Sequence, residues 1–121
     1  MSVLEFGAIV QYNWEQNCQA AFHPYEVCST WASDLAVAMW FEKQEPGAIE
    51  RTIKDGIKNW KTDKEMLIQL GMAVNFLSWY CYSDNRWSDY VNVFSDWYYW
   101  YIDEMDKIDT DIYAKIHFYL D

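Results

Sequence analysis

Carboxylate pairs are the groups in this chain best placed to do chemistry. Glu42 and Glu45, Asp103 and Asp106, and Asp109 and Asp111 stand two or three residues apart. Acid–base catalysis by such a pair needs one carboxyl in a dry pocket and the other kept wet and ionised. With 19 acidic residues in 121, a solvated face is the expectation for these pairs. The other candidates are sparse. His23 lies between Cys18 and Cys28, but the spacing matches no familiar zinc finger. His117 stands four residues beyond Tyr113 and is a general base only in the sense that any histidine is. Two histidines give no defensible nucleophilic triad. The glycines at 7, 47, 56 and 71 are isolated, so no phosphate-cradling loop is present. The expectation is a protein with no enzymatic activity, no metal and no cofactor.

A different chemistry, recognition, is concentrated near the C-terminal end. Trp97-Tyr98-Tyr99-Trp100-Tyr101 puts five rings in a row, with Asp96 before them and Asp103, Glu104 and Asp106 after. Successive residues of an α-helix point about 100° apart, so five rings encircle it and no single face hides them all. Asp89, Asp96 and Asp103 recur every seven residues, a stripe with a spacing of about 10.5 Å on a helix. Duplex DNA carries a charge about every 1.7 Å of axis. The stripe is several times sparser, so a mixed surface is expected ahead of full nucleic-acid mimicry, which is the alternative. In it Asp89, Asp96, Asp103, Glu104 and Asp106 steer the encounter, while Trp97, Tyr99, Trp100 and Tyr101 grip the partner.

Charge narrows the partner. The net charge is -10, and residues 84–121 hold nine acids against three bases. Nucleic acid and anionic membrane surfaces repel such a face; a basic protein surface fits it. Solubility alone is the plainer account of the acids. Three cysteines form no CxxC pair and leave one over, as expected of reduced, buried thiols in a cytoplasmic protein. The N-terminus lacks the basic and apolar regions of a secretory signal. Residues 66–83 carry no charge over 18 positions, just long enough to span a bilayer. Gln69, Asn75 and Ser78 interrupt them, so a buried central helix is expected instead.

Helices must position these groups. Four glycines and two prolines punctuate the chain, and strand-like alternation is scarce. The spacing predicts one compact all-α domain over 1–121, a bundle of five to six helices around a central apolar helix near 63–82. Residues 1–22 are expected to be helical to about Ala21, with a short strand near Phe6–Val10 as the alternative. Pro24 and Pro46 read as first-turn prolines, opening helices to about Glu42 and Trp60. In the second of these Ile49, Ile53, Ile57 and Trp60 form an apolar stripe, with Glu50–Lys54 and Arg51–Asp55 as side-chain pairs on the wet side. Thr62-Asp63-Lys64-Glu65 reads as a capping box. Ser83-Asp84-Asn85 breaks the run. A fourth helix over 86–107 presents Trp87, Tyr90, Val91, Phe94, Trp97, Tyr98, Tyr101, Met105 and Ile108 to the core. Asp109-Thr110-Asp111 opens a last short helix with Ile112, Ile116 and Leu120 four apart.

In general character (small, acidic, aromatic-rich, helical, without catalytic signature) the chain resembles proteins with which phages and other mobile elements block host nucleic-acid machinery. Anti-CRISPR and anti-restriction proteins, and immunity proteins that cap nucleases, share that character. The resemblance implies an inhibitor that occludes the basic groove of a nucleic-acid-handling protein without binding nucleic acid itself. The alternative is a self-assembling homodimer meeting through a face poor in acids around Trp31, Trp40 and Phe41. A carrier enclosing a small apolar ligand ranks last. Trp100 and Tyr99 lie off the expected core seam, so truncating Trp100 should weaken partner binding at little cost in stability.

Overall fold

The computed structural model describes the backbone of residues 1–18 and 25–120 and the side chains of 1–17 and 29–116. These form an all-α bundle: α1 (Val3–Cys18), α2 (Tyr25–Phe41), α3 (Ala48–Asn59), α4 (Lys64–Ser83), a 3-10 turn (Asn85–Tyr90), α5 (Val91–Ile108) and α6 (Thr110–Leu120). There is no strand among the described residues, so Phe6–Val10 lies within a helix. Pro24 and the expected end of the first helix at Ala21 lie outside the described residues, as do the side chains of Cys18, His23, Cys28, His117 and Leu120.

α4 is the central helix. Twelve of its residues, from Leu67 to Cys81, are buried, and α2, α3, α5 and α6 all pack on it. Past Lys64 and Glu65 its sequence is charge-free, the signature of a helix largely enclosed by others. No helix is long and apolar enough to cross a membrane among the described residues. A polar interruption is put to use: the Ser78 hydroxyl donates to the Val91 carbonyl at 3.0 Å and lies 3.2 Å from Ser95 Oγ, tying α4 to α5. Gly71 permits a close approach. A Cβ there would stand 2.7 Å from Tyr101 Cε1 and 2.8 Å from Ile116 Cδ1, so α5 and α6 seat directly on its backbone.

The helix ends are set by carboxylates, not always the expected ones. Asp63, not Thr62, caps α4 by accepting from the Met66 amide at 3.2 Å; this leaves Glu65 in the second helical position, too early to close a capping box. Pro46 precedes α3 by two residues instead of opening it. Gly47, at φ 99°, makes the left-handed step into that helix, a backbone region natural to glycine. Glu42 reaches across the turn and accepts from the amides of Gly47, Ala48 and Ile49 at 2.7, 3.1 and 3.4 Å, meeting the orphan donors and positive dipole of α3. Asp84 accepts from the Tyr80 hydroxyl and the Arg86 guanidinium. Asp109 accepts from the Asp111 amide and pairs with Lys64 at 2.8 Å, pinning the start of α6 to the start of α4.

Three side-chain expectations change. The helix expected over 86–107 is broken, because Trp87 has a non-helical backbone and its ring stacks on Phe6 at 5.0 Å. Trp60 and Ile108, expected in apolar stripes, are each 40% exposed, since both lie where their helices end and the neighbouring wall stops. Glu50–Lys54 forms at 3.1 Å, whereas Arg51 turns to Glu45 at 3.4 Å in place of Asp55.

The rings make their own seam. Phe6 lies against Trp40 and Trp87 at 5.4 and 5.0 Å and against Tyr80 at 6.2 Å. Phe76 joins Tyr80 to Trp14, the latter edge-on at 4.9 Å. Tilted and edge-on pairs at these distances are the favoured arrangements. The seam fastens α1 and α2 to α4 and to the 3-10 turn.

Gly71→Ala should lose about 1–3 kcal/mol, the usual cost of overpacking, in urea unfolding, although alanine is the better helix former. Burial pushes the Cys81 thiol from 9.0 up to about 12, and the Tyr80 phenol from 10.0 up to about 12. In the unfolded chain both groups deprotonate first, so unfolding releases protons between their ordinary and shifted values. These two groups should accordingly make stability fall as pH rises from about 9 to 12, followed by denaturant midpoints across that range. Cys81, free and buried, should resist alkylation at pH 8 in the folded chain and react after unfolding, as read by peptide mass mapping.

Candidate functional site

α5 distributes the five-ring run over all its sides. Phe94, Tyr98, Tyr101, Ile102 and Met105 are buried against α4 and its neighbours. Ile102 was absent from the expected seam; it stands four residues after Tyr98 and three before Met105, so helical spacing puts it on the same side. Tyr101 is a correction to the partner-binding group. Its ring is fully buried, its hydroxyl donates to the Leu67 carbonyl, and burial holds its pKa well above the ordinary phenol value. It belongs to the core.

The opposite side of α5 is wet. Asp96, Tyr99, Asp103 and Asp106 are all exposed and follow one another at three- and four-residue steps, so they share one ridge about 15 Å long. Tyr99 stands out with 63% of its surface in solvent. Asp89 is exposed too, but it lies in the 3-10 turn, so the seven-residue stripe does not run through it as one helical row. Among the described residues no cation pairs with Asp89, Asp96, Asp103 or Asp106. Glu104 differs: it pairs with Lys107 at 3.1 Å and is half-buried.

This ridge is electrostatically unfavourable for the isolated helix. Asp103 and Asp106 are like charges three residues apart, which repel on a helix. Both also sit in the last two turns of α5, where the backbone dipole is negative and favours cations. The other carboxylate pairs are satisfied internally: Glu42 caps α3, Glu45 meets Arg51, and Asp109 and Asp111 share Lys64 at 2.8 and 3.9 Å. Only the Asp103–Asp106 pair is left facing solvent without a local role. No group of three or more histidines, cysteines or carboxylates placed to hold a metal occurs among the described residues.

Trp97 and Trp100 occupy the flank between ridge and core. Both are half-buried and pack edge-on at 5.2 Å with an interplanar angle of 82°. Lys54 of α3 places its ammonium 5.6 Å from the Trp100 ring centre while pairing with Glu50. Trp100 is therefore more involved in the fold than the sequence suggested, and Tyr99 is the freer ring.

Other surfaces escaped the sequence reading. An open groove of about 590 Å³ between α2 and α3 is lined by Trp31, Asp34, Phe41, Ala48, Arg51 and Asp55, among others; partial burial there raises the Asp34 pKa. Trp79 and Tyr82, near the end of α4, are 48% and 78% exposed. Asn75 and Ser78 stand four residues before Trp79 and Tyr82 respectively, a weak polar signal for this side of the helix. The face expected for self-association does not exist as one patch: Trp31 is buried beside Gly56, Trp40 lies in the Phe6 stack, and only Phe41 is exposed.

The three ring positions should separate in urea unfolding. Tyr99→Ala should change stability by under about 0.5 kcal/mol, as at most exposed sites. Tyr101→Phe should lose about 1 kcal/mol with its hydrogen bond. Trp100→Ala should fall between an exposed ring and a core ring at about 1–2 kcal/mol, since full-core Trp→Ala costs about 3–5 kcal/mol.

Searches against protein-family models, curated proteins and solved structures find no match, so the reading of this surface rests on its geometry.

Proposed function

We propose that the chain is a small acidic binding protein, not an enzyme, whose α5 ridge docks on a basic surface of a nucleic-acid-handling protein in the cytoplasm and blocks it. A phage or mobile-element inhibitor of host defence, or a nuclease immunity protein, is the corresponding biological role. The observation that carries the reading is the ridge itself: Asp96, Asp103 and Asp106, unpaired by any cation among the described residues, flank the exposed ring of Tyr99. Such carboxylates steer a cationic partner and raise its association rate, and a tyrosine at the centre supplies contact area and a polar tip. The local repulsion along the ridge is relieved when a basic surface covers it. Three carboxylates over about 15 Å of helix are too dilute to replace nucleic acid by charge alone, so the ring and the flanking tryptophans share the contact.

A homodimer is the second reading. It is favoured by the bare rings of Trp79 and Tyr82, which belong to α4.

Affinity capture from host lysate across a salt series tests the first reading. The expected result is a basic nucleic-acid-binding protein retained at low salt, released as salt rises, and lost with Asp96→Asn/Asp103→Asn/Asp106→Asn. Capture unchanged by those three substitutions would overturn it. Sedimentation equilibrium at high micromolar concentration tests the second; a strict monomer removes it.

A further inference from the structure

Trp100, packed edge-on against Trp97, already has a cation over its ring. The Lys54 ammonium lies 5.6 Å from the Trp100 ring centre, inside the range where the negative face of an indole attracts a cation. Its ion pair, however, is with Glu50 on its own helix. The helix neighbours of Trp100 at three- and four-residue steps are Asp96, Trp97, Asp103 and Glu104, and such neighbours stand about 5–6 Å apart at their Cβ atoms. Asp96 and Asp103 make no ion pair with Lys54 or with any other cation among the described residues. The ring face is thus occupied while the carboxylates bracketing it are not. An ammonium is a compact, strongly hydrated point charge. A guanidinium is planar, more weakly hydrated, stacks on an aromatic face and presents several donors to carboxylates at once.

We propose that the Trp97–Trp100 corner receives an arginine side chain of the basic partner, with Asp96 and Asp103 as its carboxylates, and that Lys54 is the intramolecular cation this arginine displaces. The proposal rests on α5 being the binding face and adds the residue type recognised and the residue that competes for it. Removing Lys54 vacates the ring, so it strengthens arginine binding; removing Trp100 weakens it. A general electrostatic gain from deleting a positive charge is separated by Lys58→Ala, which deletes an equal charge from the same helix.

The test follows the indole N–H signals of the eight tryptophans in the full chain by two-dimensional NMR, titrated at low salt with octa-arginine and octa-lysine peptides. Octa-arginine is expected to shift the Trp97 and Trp100 signals more than those of Trp14 and Trp79, and to bind more tightly than octa-lysine. Lys54→Ala should tighten octa-arginine binding about two- to five-fold, the range of an exposed cation–π contact, with Lys58→Ala changing it less than about two-fold. Trp100→Phe, which keeps a ring in place with a weaker π face, should weaken binding; it stands in if Trp100→Ala does not fold. If octa-arginine binds and is lost with Asp96→Asn/Asp103→Asn/Asp106→Asn, yet the two indoles stay still or Lys54→Ala matches Lys58→Ala, the corner is overturned and the acidic ridge stands. If octa-arginine does not bind at low salt, both fail.

Discussion

α4 imposes the main constraint on this molecule. A helix that is apolar on every side can be stable in water only if other helices sheathe it, and each must then approach its backbone closely. Gly71 and Tyr101 show the constraint at one point. The absent side chain of one makes room for the ring of the other, and that ring is oriented by donating to the Leu67 carbonyl one turn away. Ile116 of α6 enters the same space. This close contact, with the Ser78 hydroxyl on Val91 and the Lys64–Asp109 pair, seats α5 and α6 on α4 and leaves the α5 ridge facing outward.

The abundance of rings is resolved in two ways. Phe6, Trp14, Trp40, Phe76, Tyr80 and Trp87 pack on one another into a seam that cements α1 and α2 to α4. Of the eight tryptophans, Trp14 and Trp31 are buried and only Trp60 and Trp79 are exposed. What remains at the surface of α5 is a smaller set: Tyr99 in the open and the Trp97–Trp100 corner beside it. The surplus is real but more local than a five-ring run implies.

Charge is handled with the same division. Acids at helix ends are spent on structure, as Glu42, Asp63, Asp84 and Asp109 cap or pin their helices. Asp96, Asp103 and Asp106 of α5 cap and pin nothing among the described residues, and Asp103 and Asp106 repel each other near the negative end of the helix. On the proposed reading a cationic partner relieves this arrangement, and the Lys54 ammonium beside the face of Trp100 is an internal version of that contact.

The sequence alone determined the helical class, the central position of α4 and most helix bounds, because apolar periodicity and capping residues act over a few neighbouring positions. It also placed Asp96, Asp103 and Asp106 on one wet face of α5, which depends only on helical spacing. It did not decide between Thr62 and Asp63 as the cap, nor foresee Glu42 closing the start of α3, because both depend on how the chain turns. Whether Tyr101 faced a partner or the core, whether Trp87 continued a helix or broke it, and which helix lent a lysine to Trp100 were settled by tertiary packing. Those outcomes depend on which distant backbone approaches each ring, and no pattern within one segment carries that distance.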